Sequence, residues 1–71
     1  MSSYMDPLIR EVLKDGRMTC PQIVDRLYPN IPPWDRGTKR SALLQRCRKL
    51  TEQGDLRRTE EDGQVYWELV A

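Results

Sequence analysis

The apolar residues of this chain change their spacing once, at Gly54 and Asp55. Before that point they recur with the spacing that is typical of helices with one buried face. After it they alternate with polar residues, and Asp62-Gly63, a strong signal for a tight turn, separates two short runs. The sequence therefore predicts an α+β domain of helices followed by a C-terminal β-hairpin.

Two short helices are predicted in the first part of the chain. Asp6-Pro7, a capping residue followed by proline at the first helical position, predicts a helix from about Pro7 to Lys14. Thr19 caps the next helix, and Gln22 stands where it completes a capping box. The two helices offer apolar faces that can pack together: Leu8, Ile9, Val12 and Leu13 in the first, and Ile23, Val24, Leu27 and Tyr28 in the second.

The segment 29–37 separates these helices from a third. It contains three prolines, which fix φ and remove backbone donors, so we expect a stiff, extended connection. Its apolar residues, Ile31 and Trp34, are expected to lie against the core rather than to contact a ligand. A connection of about nine residues is long for a helix-turn-helix, whose usual turn has about three or four.

The third helix is expected to run from roughly Thr38 to Gln53, with Asp35 or Thr38 as its cap and Gly54 as its stop. Its buried stripe is marked by Leu43, Leu44, Cys47 and Leu50. The opposite face starts with small and polar side chains and becomes basic. That face consists of Thr38, Ser41, Ala42, Gln45, Arg48, Lys49 and Glu52.

The hairpin is predicted to pair residues 56–59 with residues 64–69. Val65, Trp67 and Leu69 share one face of the second strand, which we expect to cover the helices because two strands alone are marginal in water. Residues 17–19 are expected to add a third short strand. The chain, 1–71, is thus interpreted as one domain that is ordered from about residue 6 to residue 69.

Three helices followed by a hairpin, with the longest helix third, resemble the winged helix-turn-helix domains that bind DNA. The resemblance covers nearly the whole chain, from about residue 6 to residue 69. It implies that the third helix enters the major groove of double-stranded DNA and that the wing touches flanking backbone or minor groove. Four segments carry it: Met18-Thr19 before the second helix, Thr38 to Leu50 as the recognition helix, Gly54-Asp55-Leu56 entering the wing, and Tyr66-Trp67-Glu68-Leu69 leaving it.

The resemblance also implies which side chains would meet DNA. Arg48 and Lys49 would lie near phosphates, and Arg57 and Arg58, at the base of the wing, would touch the backbone. Gln45 suits a paired contact to adenine, and an arginine suits guanine. The residues that would face the nucleic acid from the third helix are Thr38, Lys39, Ser41, Ala42, Gln45 and Arg46.

The distribution of charge favours a nucleic-acid contact independently of this resemblance. From Arg36 to Arg58 the chain has eight basic and two acidic residues, whereas the rest of the chain has four basic and nine acidic ones. Such a concentrated patch is the electrostatic footprint of a DNA-binding face, although solvated helix faces are also commonly charged. Arg40 lies near the apolar stripe of the third helix, so we expect it to pair with Asp35 or Asp25.

The wing departs from the family pattern in its charge. Its expected tip, Glu60-Glu61-Asp62, has three carboxylates where a wing that contacts phosphates would be basic. A second hypothesis is therefore a protein-binding module that uses this acidic tip together with exposed aromatic residues such as Tyr4 or Tyr66. RNA binding is a weaker variant, because the chain has no motif of a known RNA-binding module.

Catalysis is not expected from this sequence. The chain has no histidine and no Gly-rich phosphate loop, and neither Cys20 nor Cys47 has a candidate base partner. We expect free core thiols in a cytoplasmic protein, without a signal peptide or membrane span. The predicted function is a small transcriptional regulator without cofactor, metal or small-molecule substrate, which acts as a homodimer or with a larger protein partner.

Overall fold

The structure is a computed structural model that describes residues 4–70. Its elements follow the predicted order and form a winged-helix-like layout, in which three helices precede one two-stranded antiparallel sheet. Within residues 4–70, each helix is too short or too polar to cross a membrane. The elements are α1 (Met5–Leu13), α2 (Cys20–Leu27), α3 (Pro33–Glu52), β1 (Leu56–Glu61) and β2 (Gln64–Leu69).

The core lies where the three helices meet one face of the hairpin. Trp67 of β2 is its largest side chain and is only 2% exposed. A domain of this size buries only about 60% of the surface that its unfolded chain exposes, so its core is small. One buried indole therefore supplies a large part of the apolar area that the core removes from water. The other buried apolar residues are Met5, Ile9, Leu13, Cys20, Ile23, Val24, Leu43, Cys47, Leu50 and Leu56.

The start of α1 differs from the prediction, because Asp6 is not its cap. The N-cap position is Tyr4, which makes no side-chain capping bond. Asp6 lies in the first turn on the same face as the buried Ile9 and Leu13 and is itself buried. Its carboxylate accepts hydrogen bonds from Arg46 of α3 instead of from the helix backbone. Leu8, which we expected on the apolar face, is 44% exposed.

The start of α2 confirms the predicted capping box. The hydroxyl oxygen of Thr19 accepts a hydrogen bond from the backbone N–H of Gln22 at 3.4 Å. The side-chain oxygen of Gln22 accepts one from the backbone N–H of Thr19 at 2.9 Å. Two backbone donors that a helix start leaves without partners are thereby satisfied. Ile23 and Val24 then point into the core, as their spacing predicted.

The predicted start of α3 is wrong, since the helix begins at Pro33 rather than near Thr38. Its predicted end is confirmed, because the helix ends at Glu52 with Gln53 as the C-cap residue and Gly54 at positive φ. Pro32 is the extended N-cap residue, and Pro33 occupies the first helical position, where a missing N–H costs nothing. The two prolines therefore start a helix rather than extend a loop. The connection from α2 shrinks to residues 28–32, close to the usual length in a helix-turn-helix.

The expectation for Trp34 is also wrong. Its side chain is 83% exposed, although we expected it to lie against the core. Because residue 34 belongs to α3, the helix geometry directs it away from the buried Leu43 and Cys47 on the opposite face. Ile31, which remains in the connection, is half-buried as expected.

The hairpin turn at Asp62-Gly63 is confirmed. Both residues have positive φ, 52° and 77°, as a two-residue turn that matches the twist of the strands requires. However, β1 runs to Glu61 and pairs it with Gln64, so Glu60 and Glu61 belong to a strand and not to the tip. The tip keeps one carboxylate, that of Asp62.

The third strand expected at residues 17–19 is reduced to one antiparallel bridge between Met18 and Trp67. The backbone N–H of Met18 donates to the carbonyl oxygen of Trp67 at 3.0 Å, and the N–H of Trp67 donates to the carbonyl oxygen of Met18 at 2.8 Å. The bridge ties β2 to the segment before α2. It thereby fixes the position of the hairpin relative to the helices.

Candidate nucleic-acid interface

A groove of about 670 Å³ lies between α3, the first turn of α2 and the hairpin. Arginines line it from two elements, and no Asp or Glu is among the described residues that form its wall. Half-buried and buried apolar side chains form its floor. We call this site the arginine groove, and define it by Arg40, Arg48 and Arg58 with the floor residues Leu44, Val65 and Trp67.

Regular secondary structure brings the three arginines together. Arg40 and Arg48 stand two turns apart on α3, on one stripe with Leu44. Arg58 pairs with Trp67 in the register of the hairpin, and cross-strand partners point to the same face of a sheet. Because Trp67 faces the core, Arg58 faces the helices as well. The groove is therefore a consequence of how the hairpin packs on α3.

The three arginines differ in whether a carboxylate of the chain already neutralises their positive charge. Arg58 forms a salt bridge with Glu60 at 3.3 Å, and both side chains are at least half exposed. An exposed ion pair of this kind contributes about 0–1 kcal/mol, so a phosphate can replace Glu60 at little cost. Within the described part of the chain, Arg40 and Arg48 form no salt bridge. The groove thus presents positive charge to an incoming anion.

The solvent-facing side of α3 continues this surface. Ser41 and Ala42 are small and leave the helix backbone accessible, while Gln45 offers both a donor and an acceptor. Six of the residues predicted to meet DNA lie exposed on this side of α3 or at its edge: Thr38, Ser41, Ala42, Gln45, Arg48 and Lys49.

Other predicted contact residues are turned toward the protein itself. Arg36 forms a salt bridge with Asp25 of α2 at 2.6 Å. It takes one of the two partners, Asp35 or Asp25, that we expected for Arg40. The ammonium group of Lys39 lies 5.3 Å from the centre of the Tyr28 ring, at the end of α2. Both basic residues thus point toward α2 and its C-cap residue, through an exposed ion pair and a ring contact.

Arg46 and Arg57 are likewise engaged in intramolecular pairs. Arg57 binds Glu68 at 2.8 Å on the outer face of the hairpin. Arg46 donates two hydrogen bonds to the carboxylate of Asp6, at 3.1 and 2.8 Å, and the bond to Asp6 raises the pKa of its guanidinium. The side chain of Asp6 is 7% exposed and that of Arg46 is 25% exposed. Arg46 therefore secures α1 to α3 and is not free to contact bases.

The carboxylates assigned to the acidic tip are also paired. Glu61 binds Arg17 at 2.6 Å, and this hydrogen bond raises the pKa of Arg17. The guanidinium of Arg17 in turn lies 4.3 Å from the centre of the Tyr66 ring. The Tyr66 hydroxyl donates to the side-chain oxygen of Gln64 at 3.2 Å. The wing features expected to bind a protein partner thus make contacts within the chain, through ion pairs whose side chains stay about half exposed.

The two cysteines lie in the core and offer no reactive thiol. Burial raises the pKa of the Cys47 thiol to about 12, and burial also raises that of Cys20. The Cys20 thiol donates a long hydrogen bond, 3.7 Å, to the carbonyl oxygen of Arg40. Within residues 4–70, no cluster of histidine, cysteine or acidic side chains could hold a metal ion.

Sequence reasoning missed one residue of the arginine groove and misplaced one exposed residue of α3. Arg40 was expected to be paired, although its spacing of two turns from Arg48 was a signal that both belong to one stripe. Trp34 was expected in the core because the start of α3 was placed after it.

No protein-family model, curated protein or solved structure matches this chain.

Proposed function

We propose that this protein is a DNA-binding module of the winged-helix type, and that it serves as a small transcriptional regulator. The exposed face of α3 docks into the major groove of double-stranded DNA, and the arginine groove receives phosphates of the flanking backbone. The observation that carries the proposal is the lining of that groove, where three arginines meet without a carboxylate in the wall.

The chemistry of the groove suits a polyanion with regularly spaced charges. Arginines on two elements bring several positive charges to one groove, and a guanidinium can bind a phosphate through two parallel hydrogen bonds. Each phosphate that an arginine or lysine neutralises releases condensed counterions, which favours association at low salt. Phosphate contacts of this kind position a protein on the duplex but do not read its sequence.

Sequence reading would come from the exposed side of α3. Gln45 lies near the middle of that side and can make two hydrogen bonds to an adenine edge. The small side chains of Ser41 and Ala42 allow the helix to approach the bases closely. One domain reads only a short site, so a homodimer or a larger protein partner would supply the remaining specificity.

The hairpin would contact DNA through its base rather than its tip. Arg58 faces the arginine groove, whereas Asp62 stands in the turn and would be repelled by phosphates. The alternative function, protein binding through an acidic tip, has less support because Glu60 and Glu61 belong to β1 and the tip keeps only the carboxylate of Asp62. We place the proposed function in the cytoplasm, where two free buried thiols persist.

A salt-dependent binding measurement tests the proposal. Labelled mixed-sequence duplexes are titrated with protein at about 50 mM and about 200 mM salt, and binding is followed by fluorescence anisotropy. We expect the affinity to fall steeply with salt. The double variant Arg48→Glu/Lys49→Glu should bind at least about tenfold more weakly and lower the slope of log K against log salt by about 2.

The matched control is Lys14→Glu/Arg26→Glu, which makes the same change of charge at exposed positions at the ends of the first two helices. Because both residues lose an exposed salt bridge, to Glu11 and Asp15, circular dichroism first verifies that this variant is folded. It should bind DNA within about threefold of the unmodified protein. Equal losses in both double variants would mean that only net charge matters, and would overturn the proposed interface. The absence of binding at about 100 µM protein in about 50 mM salt would overturn DNA binding itself.

A further inference from the structure

Trp34 is the most exposed of the large apolar side chains within residues 4–70, at 83%. An indole has one of the largest apolar surfaces of any side chain, and leaving it in water forgoes a large hydrophobic gain. Neither the core nor the arginine groove uses it. Its position therefore indicates a contact that the folded chain does not itself provide.

The helix geometry places Trp34 on the side of α3 that is proposed to meet DNA. Trp34 precedes Gln45 by about three full turns, so the two side chains point in nearly the same direction. The surface between them is polar and small, with Thr38 and Ser41 exposed. Arg48 and Lys49 continue it at the other end. This surface lacks the apolar centre of a protein–protein interface and complements a polyanion in charge.

The length of α3 determines what Trp34 can reach. A helix of 20 residues is about 30 Å long, whereas the major groove is about 12 Å wide. When Ser41 and Gln45 occupy the groove, Trp34 lies about 10 Å before Ser41 along the helix axis. With α3 oriented across the groove rather than along it, this distance places Trp34 beyond the edge of the groove.

Beyond the edge of the groove, a fully paired duplex offers an indole little flat surface on which to stack. The faces of paired bases are covered by their stacked neighbours, and the groove presents only their edges. An unpaired base, in contrast, exposes a flat π surface, and stacking on aromatic side chains is a main source of affinity for single strands. The best partner for Trp34 is thus a base that has left the duplex.

We propose that Trp34 stacks on an unpaired base beside the bound duplex, so that the protein prefers DNA in which paired and unpaired segments adjoin. This inference rests on the proposed function and names the substrate class of the same surface. The arginine groove and the middle of α3 hold the paired segment. Trp34 holds the first unpaired base next to it.

A set of matched DNA molecules tests the inference. A blunt duplex of about two helical turns is compared with the same duplex carrying about three unpaired nucleotides as a 5′ overhang, a 3′ overhang or a central bulge. The unmodified protein should bind at least one of the partly unpaired molecules about tenfold more tightly than the blunt duplex. Trp34→Ala should lose this preference and keep its affinity for the blunt duplex, and Trp34→Phe should retain part of it.

The matched control is Tyr4→Ala, which removes an aromatic side chain that is 76% exposed at the start of α1. This variant should keep the full preference. Stacking should also quench the emission of Trp34 when the preferred DNA is added, so the unmodified protein should lose more emission than Trp34→Ala, in which only Trp67 on the floor of the arginine groove emits. Circular dichroism verifies that each variant is folded.

Each remaining outcome decides against the inference. Salt-dependent binding of the blunt duplex without any preference for unpaired bases would overturn the inference and leave the proposed function intact. The absence of binding to every DNA would overturn both. A protein that sediments as a dimer without DNA, and as a monomer after Trp34→Ala, would show that Trp34 binds a second copy of the chain, which would overturn the inference.

Discussion

Arg46 of α3 binds the carboxylate of Asp6 in α1 through two hydrogen bonds, 3.1 and 2.8 Å long. The two partners differ in their access to water, since the side chain of Asp6 is 7% exposed and that of Arg46 is 25% exposed. The pair joins the first turn of α1 to the middle of α3. A basic residue in the centre of the proposed recognition helix thus has a structural role.

This difference in exposure predicts unequal effects of removing the two partners. Arg46→Met leaves a buried carboxylate without its donor, which costs about 1–3 kcal/mol or more and lowers Tm by roughly 5–20 °C. Asp6→Asn leaves a guanidinium that can still reach water, so its loss of stability should be smaller. Thermal and urea denaturation of both variants measure the two effects. Equal losses, or a larger loss for Asp6→Asn, would contradict this account.

Two arginines of α3 should differ in their effect on DNA binding. Arg40 lines the arginine groove without a salt bridge to any described residue, whereas Arg36, one turn earlier, is paired with Asp25. Arg40→Ala should weaken duplex binding roughly fivefold to tenfold in about 50 mM salt and reduce the salt slope by about 1. Arg36→Ala serves as the matched control and should bind almost normally. Fluorescence anisotropy titrations compare them, and the reverse order of effects would exclude the groove as the phosphate site.

Two glycines should respond to alanine with opposite signs. Gly37 lies inside α3 with open space around its missing Cβ, so Gly37→Ala should stabilise the protein by about 0.5–1 kcal/mol. Gly63 also has open space, but its φ of 77° is unfavourable for a side chain, so Gly63→Ala should destabilise the protein by about 1 kcal/mol. Urea denaturation measures both changes. A loss of stability in Gly37→Ala would mean that α3 does not begin before residue 37.

Stability should decrease at alkaline pH because of Cys47. Burial raises the pKa of its thiol from 9.0 to about 12 in the folded protein. Above pH 9 the thiol ionises in the unfolded chain but not in the folded one, so the free energy of unfolding falls as the pH rises from about 9 to about 12. Cys47→Ala should be less stable than the unmodified protein near neutral pH, and this difference should shrink by pH 10. Urea denaturation in reducing buffer measures the difference, and a constant gap would refute the contribution of Cys47.

Local signals in the sequence were sufficient for several elements. Thr19 and Gln22 predicted the start of α2 because a capping box needs only residues within one turn. Asp62-Gly63 predicted the turn of the hairpin because these residues tolerate the positive φ that the turn needs. The alternating pattern of β2 then predicted that Trp67 faces the core. Short-range geometry determines all three features.

Other local signals were ambiguous. Pro32 and Pro33 suit an extended connection and the first residues of a helix equally well, and the helical choice moved Trp34 from the core to the surface. Asp6 before a proline suits a helix cap, but it also shares a face with the apolar residues of α1. Only the presence of Arg46 on the neighbouring helix distinguishes a buried ion pair from a cap.

The sequence by itself determined the order of the elements, the sites of capping and turning, and the basic excess between Arg36 and Arg58. The tertiary structure decided which of those basic residues are available. Salt bridges and ring contacts are made between residues far apart in the chain, so packing alone assigns Arg36 and Arg46 to α2 and α1. The same packing leaves Arg40 and Arg48 facing the hairpin, because backbone hydrogen bonds to Met18 and the burial of Trp67 hold β2 against the helices.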